Sequence, residues 1–519
     1  MLSALLPGAP VAAQAGTGSD NISHVDLIAY GKLTSAPRTN YGTDSDFIEM
    51  AVPTLDDAGK PVLDADDNPV TELRQIGVFG TYANGAFIMD VTDGTPVQLG
   101  HYLCSIAQGD VQVFQQQVDG TSRTYFAFTD DGIGTGRGQY VGDLNGLPTC
   151  NDWAEKNNVN LGNGQGTFFA DITDPRDPQT VSFLSAPRGT HNATVHPSGD
   201  WFYNSNSELI ANAPNAGIEV YDISDIFNPQ QVTTLTLPIR PGLGTDSHDV
   251  TFNTEGTRAY SAALSQTVII NTENPGAPSI ISSFVDPMIN VEHQANPITI
   301  DDPILGERDF LIVEDELAGA AGAEPACPSG GVHVYDITGE RENTPVKVGF
   351  WNISTVMPTA VLGSCTAHVF QLHEEAQLMT ISFYNAGVRV VDISGLVGVA
   401  LGNEGVGMRE IGFHYFPNSN SWSVKAPFIE MDADGSLDFH MYSNDVNRGL
   451  DTYPFQGNVS DSTGLDVFMT ATEALANLPR ATVGSDYRPF CLLGDASAES
   501  AVVPALPLPT TGLSKLLGG

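Results

Sequence analysis

A short pattern recurs along the chain and restricts its fold more than any other feature of the sequence. Each copy contains a Gly, an alternating run of apolar residues, an Asp, a β-branched residue and a Ser or Thr, and most copies continue into a turn that contains Pro. The Asp positions of five copies are Asp90, Asp171, Asp222, Asp336 and Asp392. A sixth, degenerate copy has Asn271 there, which predicts a weaker turn. A repeat of fixed pattern predicts a solenoid or a propeller.

The chemistry of one repeat predicts four strands. In the copy at Asp222, Ile218 and Val220 alternate with a polar residue, which is typical of a half-buried strand. The Asp and the following Ser or Thr are expected to bond nearby backbone amides in an Asx turn, and Pro then stops the strand. A further strand pair precedes each copy and is joined, in this one, by a hairpin turn at 197–200. Four strands per repeat are typical of a propeller blade.

The repeats predict an all-β chain with a single β-propeller over residues 21–456. The six copies and a further unit at 428–456 give seven four-stranded blades, with six or eight as alternatives. A strand at 25–32 is expected to supply the outer strand of the last blade and to close the ring. Closure removes sheet edges that would otherwise pair with other chains.

The phrase GVRVVDIS at 387–394 and the run FLIVEDE at 310–316 resemble a known family. They are similar to the LVIVD repeat of bacterial and archaeal extracellular propellers. The resemblance implies a propeller outside the cell. It implies no activity, because this family is defined by its repeat and a fold does not determine function.

The beginning of the chain predicts export, and its end resembles a surface-anchoring signal or is only a Pro-rich tail. Residues 1–15 resemble the remnant of a signal peptide, with an apolar run at 2–6 and a small-x-small pattern at 13–15, although an Ala-rich N-terminus of no special function is the alternative. Residues 457–500 are interpreted as a C-terminal extension. The tail at 501–519 is rich in Pro and contains an LPTTG-like motif. We therefore expect an extracellular or cell-surface protein.

The five cysteines form no CxxC pair, which argues against zinc-ribbon, thioredoxin-like and haem-attachment motifs. In an exported protein we expect disulfides, and we predict the pairs Cys104–Cys150 and Cys327–Cys365. Cys491 would be left over.

The charge balance limits the partners. There are 62 Asp and Glu against 21 Lys and Arg, a formal net charge of −41, which repels nucleic acid and anionic lipid. No apolar run reaches the roughly 18 residues of a transmembrane helix, and we expect a monomer. The acidic surface attracts divalent cations such as Ca²⁺. The segments at 64–68 and 432–435 resemble fragments of calcium loops but lack the full loop geometry, and Asp-Gly hairpin turns explain the second.

A series of histidines opens consecutive predicted blades: His191, His248, His293 and His368. Each stands at the start of the first strand of its blade, the strand that lines the channel of a propeller. Imidazole is a favoured ligand of Fe, Cu and Zn, so the four side chains could hold one of these metals at the channel mouth. Carboxylates that could support such a site are Asp249, Glu292, Glu314 and Asp315. Structural histidines, repeated by duplication, and a ligand site without metal are the alternatives.

Two functions follow from these features. The sequence favours a secreted binding scaffold that holds a protein or glycan through the long insertions at 131–164, 318–330 and 395–408. The alternative is a metal-dependent oxidase or dioxygenase with the histidine cluster as its centre. Carotenoid-cleaving oxygenases and the selenium-binding protein/methanethiol oxidase family also combine a propeller with metal-binding histidines, an analogy of fold alone. No catalytic residue is assigned, because the chain has no Gly-x-Ser-x-Gly elbow, P-loop or dinucleotide motif.

Overall fold

The computed structural model describes most of the chain between its two ends. The described residues are 29–31, 42–81, 84–104, 106, 109–130, 149–161, 166–186, 188–206, 217–240, 246–317, 329–353, 365–403, 406–416, 418–459, 465–466 and 468–478. The predicted signal-peptide remnant, the Pro-rich tail and most of the long insertions lie outside these ranges.

Seven antiparallel sheets follow one another along the chain as the blades of a β-propeller, which confirms the predicted fold class and blade number. The strands of blades 1 to 3, from the channel outwards, are β2 (Gly42–Pro53), β3 (Thr71–Thr81), β4 (Ala86–Asp90) and β5 (Val97–Tyr102); β6 (Val111–Val118), β7 (Thr121–Asp130), β8 (Gly166–Asp171) and β9 (Gln179–Ser185); and β10 (Asn192–Val195), β11 (Trp201–Ser205), β12 (Gly217–Asp222) and β13 (Gln230–Thr236).

Blades 4 to 6 have the same order. Their strands are β14 (Asp249–Phe252), β15 (Arg258–Ala262), β16 (Thr267–Asn271) and β17 (Ser279–Phe284); β18 (Glu292–Asp302), β19 (Gly306–Asp315), β20 (Gly331–Asp336) and β21 (Val346–Trp351); and β22 (His368–His373), β23 (Leu378–Ser382), β24 (Val388–Asp392) and β25 (Arg409–His414). Within the described residues, helical segments are short: α1 (Cys150–Lys156), α2 (Leu396–Ala400), α3 (Ala471–Asn477) and a 3₁₀ turn at Gly339–Glu342.

Blade 7 closes the ring with a strand from the beginning of the chain. Its strands are β26 (Ser421–Lys425), β28 (Ser436–Asp445) and β29 (Gly449–Asn458), with the short β27 (Ile429–Met431) beside β28. Outside them, β1 (Ala29–Gly31) pairs antiparallel with β29. The predicted closure by an N-terminal strand is therefore confirmed.

The chain after blade 7 returns to two earlier blades. The strand β30 (Leu465–Asp466) pairs with β25, and β31 (Met469–Thr470) pairs with β21, so blades 5 and 6 each gain a fifth strand. Helix α3 then packs against β21. This part of the predicted C-terminal extension thus covers the outer edges of two adjacent blades.

The repeated Asp forms the same turn in every copy. Its Oδ1 accepts a hydrogen bond from the backbone N–H two residues later, at 2.8–3.0 Å, in the copies at Asp90, Asp171, Asp222, Asp336 and Asp392. Asn271 accepts the same bond from the Glu273 N–H at 3.0 Å. This bond is as short as those in the Asp copies, because the amide oxygen of Asn takes the place of a carboxylate oxygen. The weaker turn predicted there is therefore not seen in this hydrogen bond.

The hydrophobic core lies between adjacent blades. One cluster joins Phe126 and Phe168 of blade 2 to Ile76 of blade 1, and another joins Trp351 of blade 5 to Phe383 of blade 6. Equivalent clusters fill the other interfaces. Burial of apolar side chains between sheets is the main force that holds such a ring together.

Polar side chains connect the inner strands across each blade boundary. Asp46 Oδ2 accepts from Val113 N at 2.7 Å, and Gln371 Oε1 accepts from Ala426 N at 2.8 Å. Gln294 bonds both the N–H and the C=O of one residue in the next blade. These bonds satisfy backbone groups that face the channel and fix the inner strands relative to one another.

The predicted disulfide Cys104–Cys150 is confirmed and attaches α1 to the edge of blade 1. Cys365 is also disulfide-bonded. Its predicted partner Cys327, like Cys491, lies outside the described residues. None of the helices in the described ranges is long and apolar enough to cross a membrane.

Candidate metal centre

The structure brings all four predicted histidines together on the axis of the propeller. His191 and His248 directly precede β10 and β14, His293 is the second residue of β18, and His368 opens β22. Their ring centroids follow one another at 4.3, 4.1 and 4.4 Å. The Nε2 atoms of His191 and His248 are 2.9 Å apart. Four consecutive blades thus contribute one imidazole each to a single cluster.

Irregular backbone at the start of the inner strands directs these side chains. The pairing of β18 with β19 shifts register between Glu292 and Ala295, around His293. A similar shift follows His368 in β22. A β-bulge turns a side chain away from the regular alternation of the strand, and bulges are frequent beside functional sites.

The cluster is buried, and three of its imidazoles have lowered pKa values. His191, His248, His293 and His368 are each at most 5% exposed. Burial, with smaller contributions from the neighbouring imidazoles, lowers the pKa of His293 to about 3 and the pKa values of His248 and His368 well below the ordinary value. A neutral imidazole has the lone pair that a metal ion requires.

Two glutamates of blade 5 adjoin the cluster. Glu314 Oε2 lies 3.0 Å from His293 Nδ1. Glu316 has one oxygen 3.9 Å from His293 Nε2 and the other 3.9 Å from His368 Nε2. The hydroxyl of Tyr384 donates to Glu316 Oε1 at 2.6 Å and so fixes this carboxylate.

The other predicted carboxylates lie elsewhere. Glu292 Oε2 accepts from the Thr267 hydroxyl, and Asp315 accepts from the backbone N–H groups of Asn290 and Val291. Asp249 accepts from the Val250 N–H and lines the channel beside the histidines. Of the four predicted carboxylates, Glu314 makes a hydrogen bond to His293.

Sequence reasoning missed Glu316 and Tyr384. Residues two apart on a strand share one side, so the alternation of β19, continued to the residue that follows it, places Glu314 and Glu316 together and Asp315 opposite. That signal was present in the run FLIVEDE. Tyr384, in contrast, belongs to the turn between β23 and β24 and has a φ of 42°, which no repeat pattern predicts. Such a left-handed conformation is strained for Tyr.

Nε2 of His368 makes no hydrogen bond to any of the described residues. His368 Nδ1 bonds the carbonyl oxygen of Trp422, so Nδ1 carries the hydrogen and Nε2 presents its lone pair. Nε2 is buried and accepts no hydrogen bond in the described part of the chain. A buried unsatisfied acceptor is costly, and a metal ion would satisfy it.

The donor set fits a transition metal. One ligand atom each of His248, His293 and Glu316 lie within 4.8 Å of one another. A metal ion about 2.1 Å from each ligand would hold the donor atoms about 3–4 Å apart. The 2.9 Å and 3.9 Å separations already approach that range.

A channel cavity of about 590 Å³ leads to the histidines. Residues of the inner strands line it, including Asp249 beside the cluster and Asn253 near the far end of β14. The cavity is large enough for a small molecule.

The calcium-like fragments of the sequence form turns. Asp64 Oδ1 accepts from the N–H groups of Asp66 and Asn68, and Asp434 accepts from both the N–H and the hydroxyl of Ser436. Backbone and hydroxyl donors thus account for these carboxylates without Ca²⁺.

Comparison with known proteins assigns neither a family nor a function to the chain. No family model and no curated protein matches the chain. Similar solved structures include a periplasmic gluconolactonase of Pseudomonas aeruginosa, with 12% identity, 78% of this chain and 96% of that chain covered, and a TM-score of 0.39. A β-propeller domain from Myceliophteria thermophila has 9% identity, coverages of 78% and 98%, and a TM-score of 0.41. A protein of unknown function from Desulfotomaculum acetoxidans has 12% identity, coverages of 72% and 87%, and a TM-score of 0.40.

Proposed function

We propose that the protein is a metal-dependent β-propeller enzyme of the oxidase or dioxygenase type. Its centre would be a Cu, Fe or Zn ion held by His191, His248, His293 and His368, with Glu316 as a further ligand. The observation that carries the proposal is the meeting of four buried imidazoles at the channel cavity, with the Glu316 carboxylate beside two of them.

Hydrogen bonds to Nδ1 leave the Nε2 atoms of His293 and His368 available to a metal ion. Glu314 occupies Nδ1 of His293 and the Trp422 carbonyl occupies Nδ1 of His368, so both rings offer Nε2. The Nε2 atoms of His191 and His248 share a hydrogen bond, which coordination of a metal ion would replace. Partners of this kind orient metal ligands and are typical of metal centres.

The chemistry depends on the metal, and the protein supplies its environment. Cu or Fe would provide one-electron and O₂ chemistry, and Zn would provide Lewis-acid chemistry. The four blades hold the imidazoles in place, Tyr384 positions Glu316, and the channel admits substrate while the burial of the cluster limits water.

The binding-scaffold function stays a prediction, because most of the insertions on which it depends lie outside the described residues. We further propose that the protein is exported and belongs with the LVIVD-repeat propellers. The repeat supports the second proposal, and the Cys104–Cys150 disulfide supports the first, because disulfides persist mainly in oxidising compartments.

Elemental analysis tests the proposed centre. We expect chelator-washed protein, reloaded with Cu, Fe or Zn, to retain about one equivalent of one metal, and we expect the variant His248→Ala/His293→Ala to lose it. The matched control is His196→Ala. His196 lines the same cavity, but Ser198 and the carbonyl oxygen of Gly256 already occupy its ring nitrogens. Absence of metal from the folded wild type, or full retention in the double variant, would contradict the proposal.

A further inference from the structure

The channel beside the histidines has its own charge pattern. Four carboxylates line the cavity, and they are Asp44, Asp46, Asp110 and Asp249. Lys425 is the one Lys or Arg among the residues that line this cavity. Asp44 Oδ2 lies 3.1 Å from Lys425 Nζ, which also donates to the Ser45 carbonyl oxygen. The single ammonium group is therefore already engaged.

Two of these carboxyl groups face each other. Burial, the charge of Asp44 and a side-chain hydrogen bond to Asp44 raise the pKa of Asp110 well above its ordinary value. Asp44 Oδ1 is buried and receives no hydrogen bond from an amide, hydroxyl or ammonium group among the described residues. Adjacent carboxyl groups need a proton or a cation between them. A proton shared with Asp110 or a bound cation would satisfy this Asp44 oxygen.

An aromatic ring accompanies Asp44. Trp422 lines the same cavity and is 7% exposed, with its ring centroid 4.6 Å from that of His368. Asp44 and Trp422 come from the adjacent inner strands β2 and β26, where Ser45 Oγ and Ser423 Oγ are 3.5 Å apart. The aromatic face attracts cations, and Trp does so most strongly.

Backbone irregularities direct both side chains, as they direct the histidines. The pairing of β2 shifts register between Gly42 and Ser45, around Asp44. The pairing of β26 shifts between Ser421 and Ser423, around Trp422. Asp44 and Trp422 therefore lie in irregular starts of inner strands, as His293 does in blade 5. The field of the whole chain, with a net charge of −41, also attracts cations and repels anions.

We propose that the substrate is a small organic cation, a molecule with a primary ammonium group on a short carbon chain. The ammonium group binds between the Asp44 carboxylate and the face of Trp422, and the rest of the molecule extends towards the histidine cluster. The cavity of about 590 Å³ limits its size. This inference rests on the proposed function for its chemistry, but the ammonium site itself does not require the metal.

Calorimetric titration with three probes of equal chain length tests the site. We expect n-butylammonium to bind the metal-loaded protein and the metal-free protein, and n-butanol and butyrate to bind at least tenfold more weakly. Asp44→Asn should weaken butylammonium binding about tenfold or more, because a hydrogen bond between charged groups is lost. Asp225→Asn is the matched control, since it removes the same charge from an exposed turn of blade 3.

A second variant distinguishes loss of the ammonium site from a rearrangement of Lys425, the ion-pair partner of Asp44. Trp422→Leu leaves every channel charge in place and should still weaken butylammonium binding several-fold. Equal binding of butyrate and butylammonium, or an affinity that neither variant changes, would overturn the inference. Metal content is measured on each sample. Loss of metal with retained, Asp44-dependent ammonium binding would refute only the proposed metal centre, and intact metal without ammonium selectivity would refute only this inference.

Discussion

Three of the four axial histidines, His248, His293 and His368, are suited to metal binding because burial and neighbouring groups lower their pKa values before any ligand arrives. The Trp422 carbonyl accepts only from an N–H and therefore fixes His368 as the tautomer with a free Nε2 lone pair. Burial keeps His248 and His293 neutral by lowering their pKa values. In an exposed cluster, protons would compete with the metal ion for the same imidazole nitrogens near neutral pH.

Glu292 provides a test at the residue scale, because the structure gives it a role away from the metal. Burial raises its pKa to about 8 from an ordinary value of 4.5, so between these pH values the folded protein binds more protons than the unfolded chain. Stability is therefore lost as the pH rises through this window. In Glu292→Gln we expect the loss between pH 6 and pH 8.5 to be smaller by about 2–3 kcal/mol, as measured by urea unfolding.

Metal content should remain unchanged in Glu292→Gln, because Glu292 bonds Thr267 and not a histidine. The exposed Glu340→Gln is the control and should keep the wild-type pH dependence. An equally steep loss in both variants would show that the Glu292 carboxyl does not titrate in this window.

At this scale the sequence predicted the histidines but not their environment. The histidines recur at the start of successive blades, and that spacing is visible in the repeat. Glu316 was missed although strand alternation pairs it with Glu314, and the candidate carboxylate Asp315 accepts from backbone N–H groups instead of contacting a histidine. Tyr384, Asp44 and Trp422 could not be predicted, since turns and β-bulges place them rather than a periodic pattern.

Within each blade, the hydrogen bonds of the turn and the packing of the strands favour the same structure. An apolar alternating strand ends at an Asp or Asn whose oxygen accepts the N–H two residues later, and the outer strand then begins. The sequence predicted this turn because it repeats. It did not predict β30 and β31, which are two residues long and carry no periodicity.

Variants of Asn271 test whether the hydrogen bond to the N–H two residues later is the reason why Asp or Asn recurs at this position. We expect Asn271→Ala to lower the free energy of unfolding by about 1 kcal/mol, because the Glu273 N–H loses its acceptor. Asn271→Asp, which keeps the acceptor, should lie within about 0.5 kcal/mol of the wild type. Urea midpoints of the two variants decide the question. Equal loss in both would mean that the amide group, rather than the turn acceptor, stabilises this position.

The whole molecule joins these elements into a ring whose inner strands converge on one axis. Seven apolar interfaces and a set of inter-blade hydrogen bonds fix the inner strands, so histidines that are 45 to 75 residues apart in the chain meet within one cluster. The number of blades and the closure by β1 could be predicted, because each depends on counting repeats. The position of the carboxylates around the axis could not, because it depends on how inner strands of adjacent blades bulge.

Anomalous diffraction at the absorption edge of the bound metal, from crystals of metal-loaded protein, tests the central claim most directly. The account predicts one strong peak on the propeller axis, about 2.0–2.3 Å from Nε2 of at least three of the four histidines His191, His248, His293 and His368. A peak coordinated by other residues, or none at the cluster in protein that carries a full equivalent of metal, would contradict it.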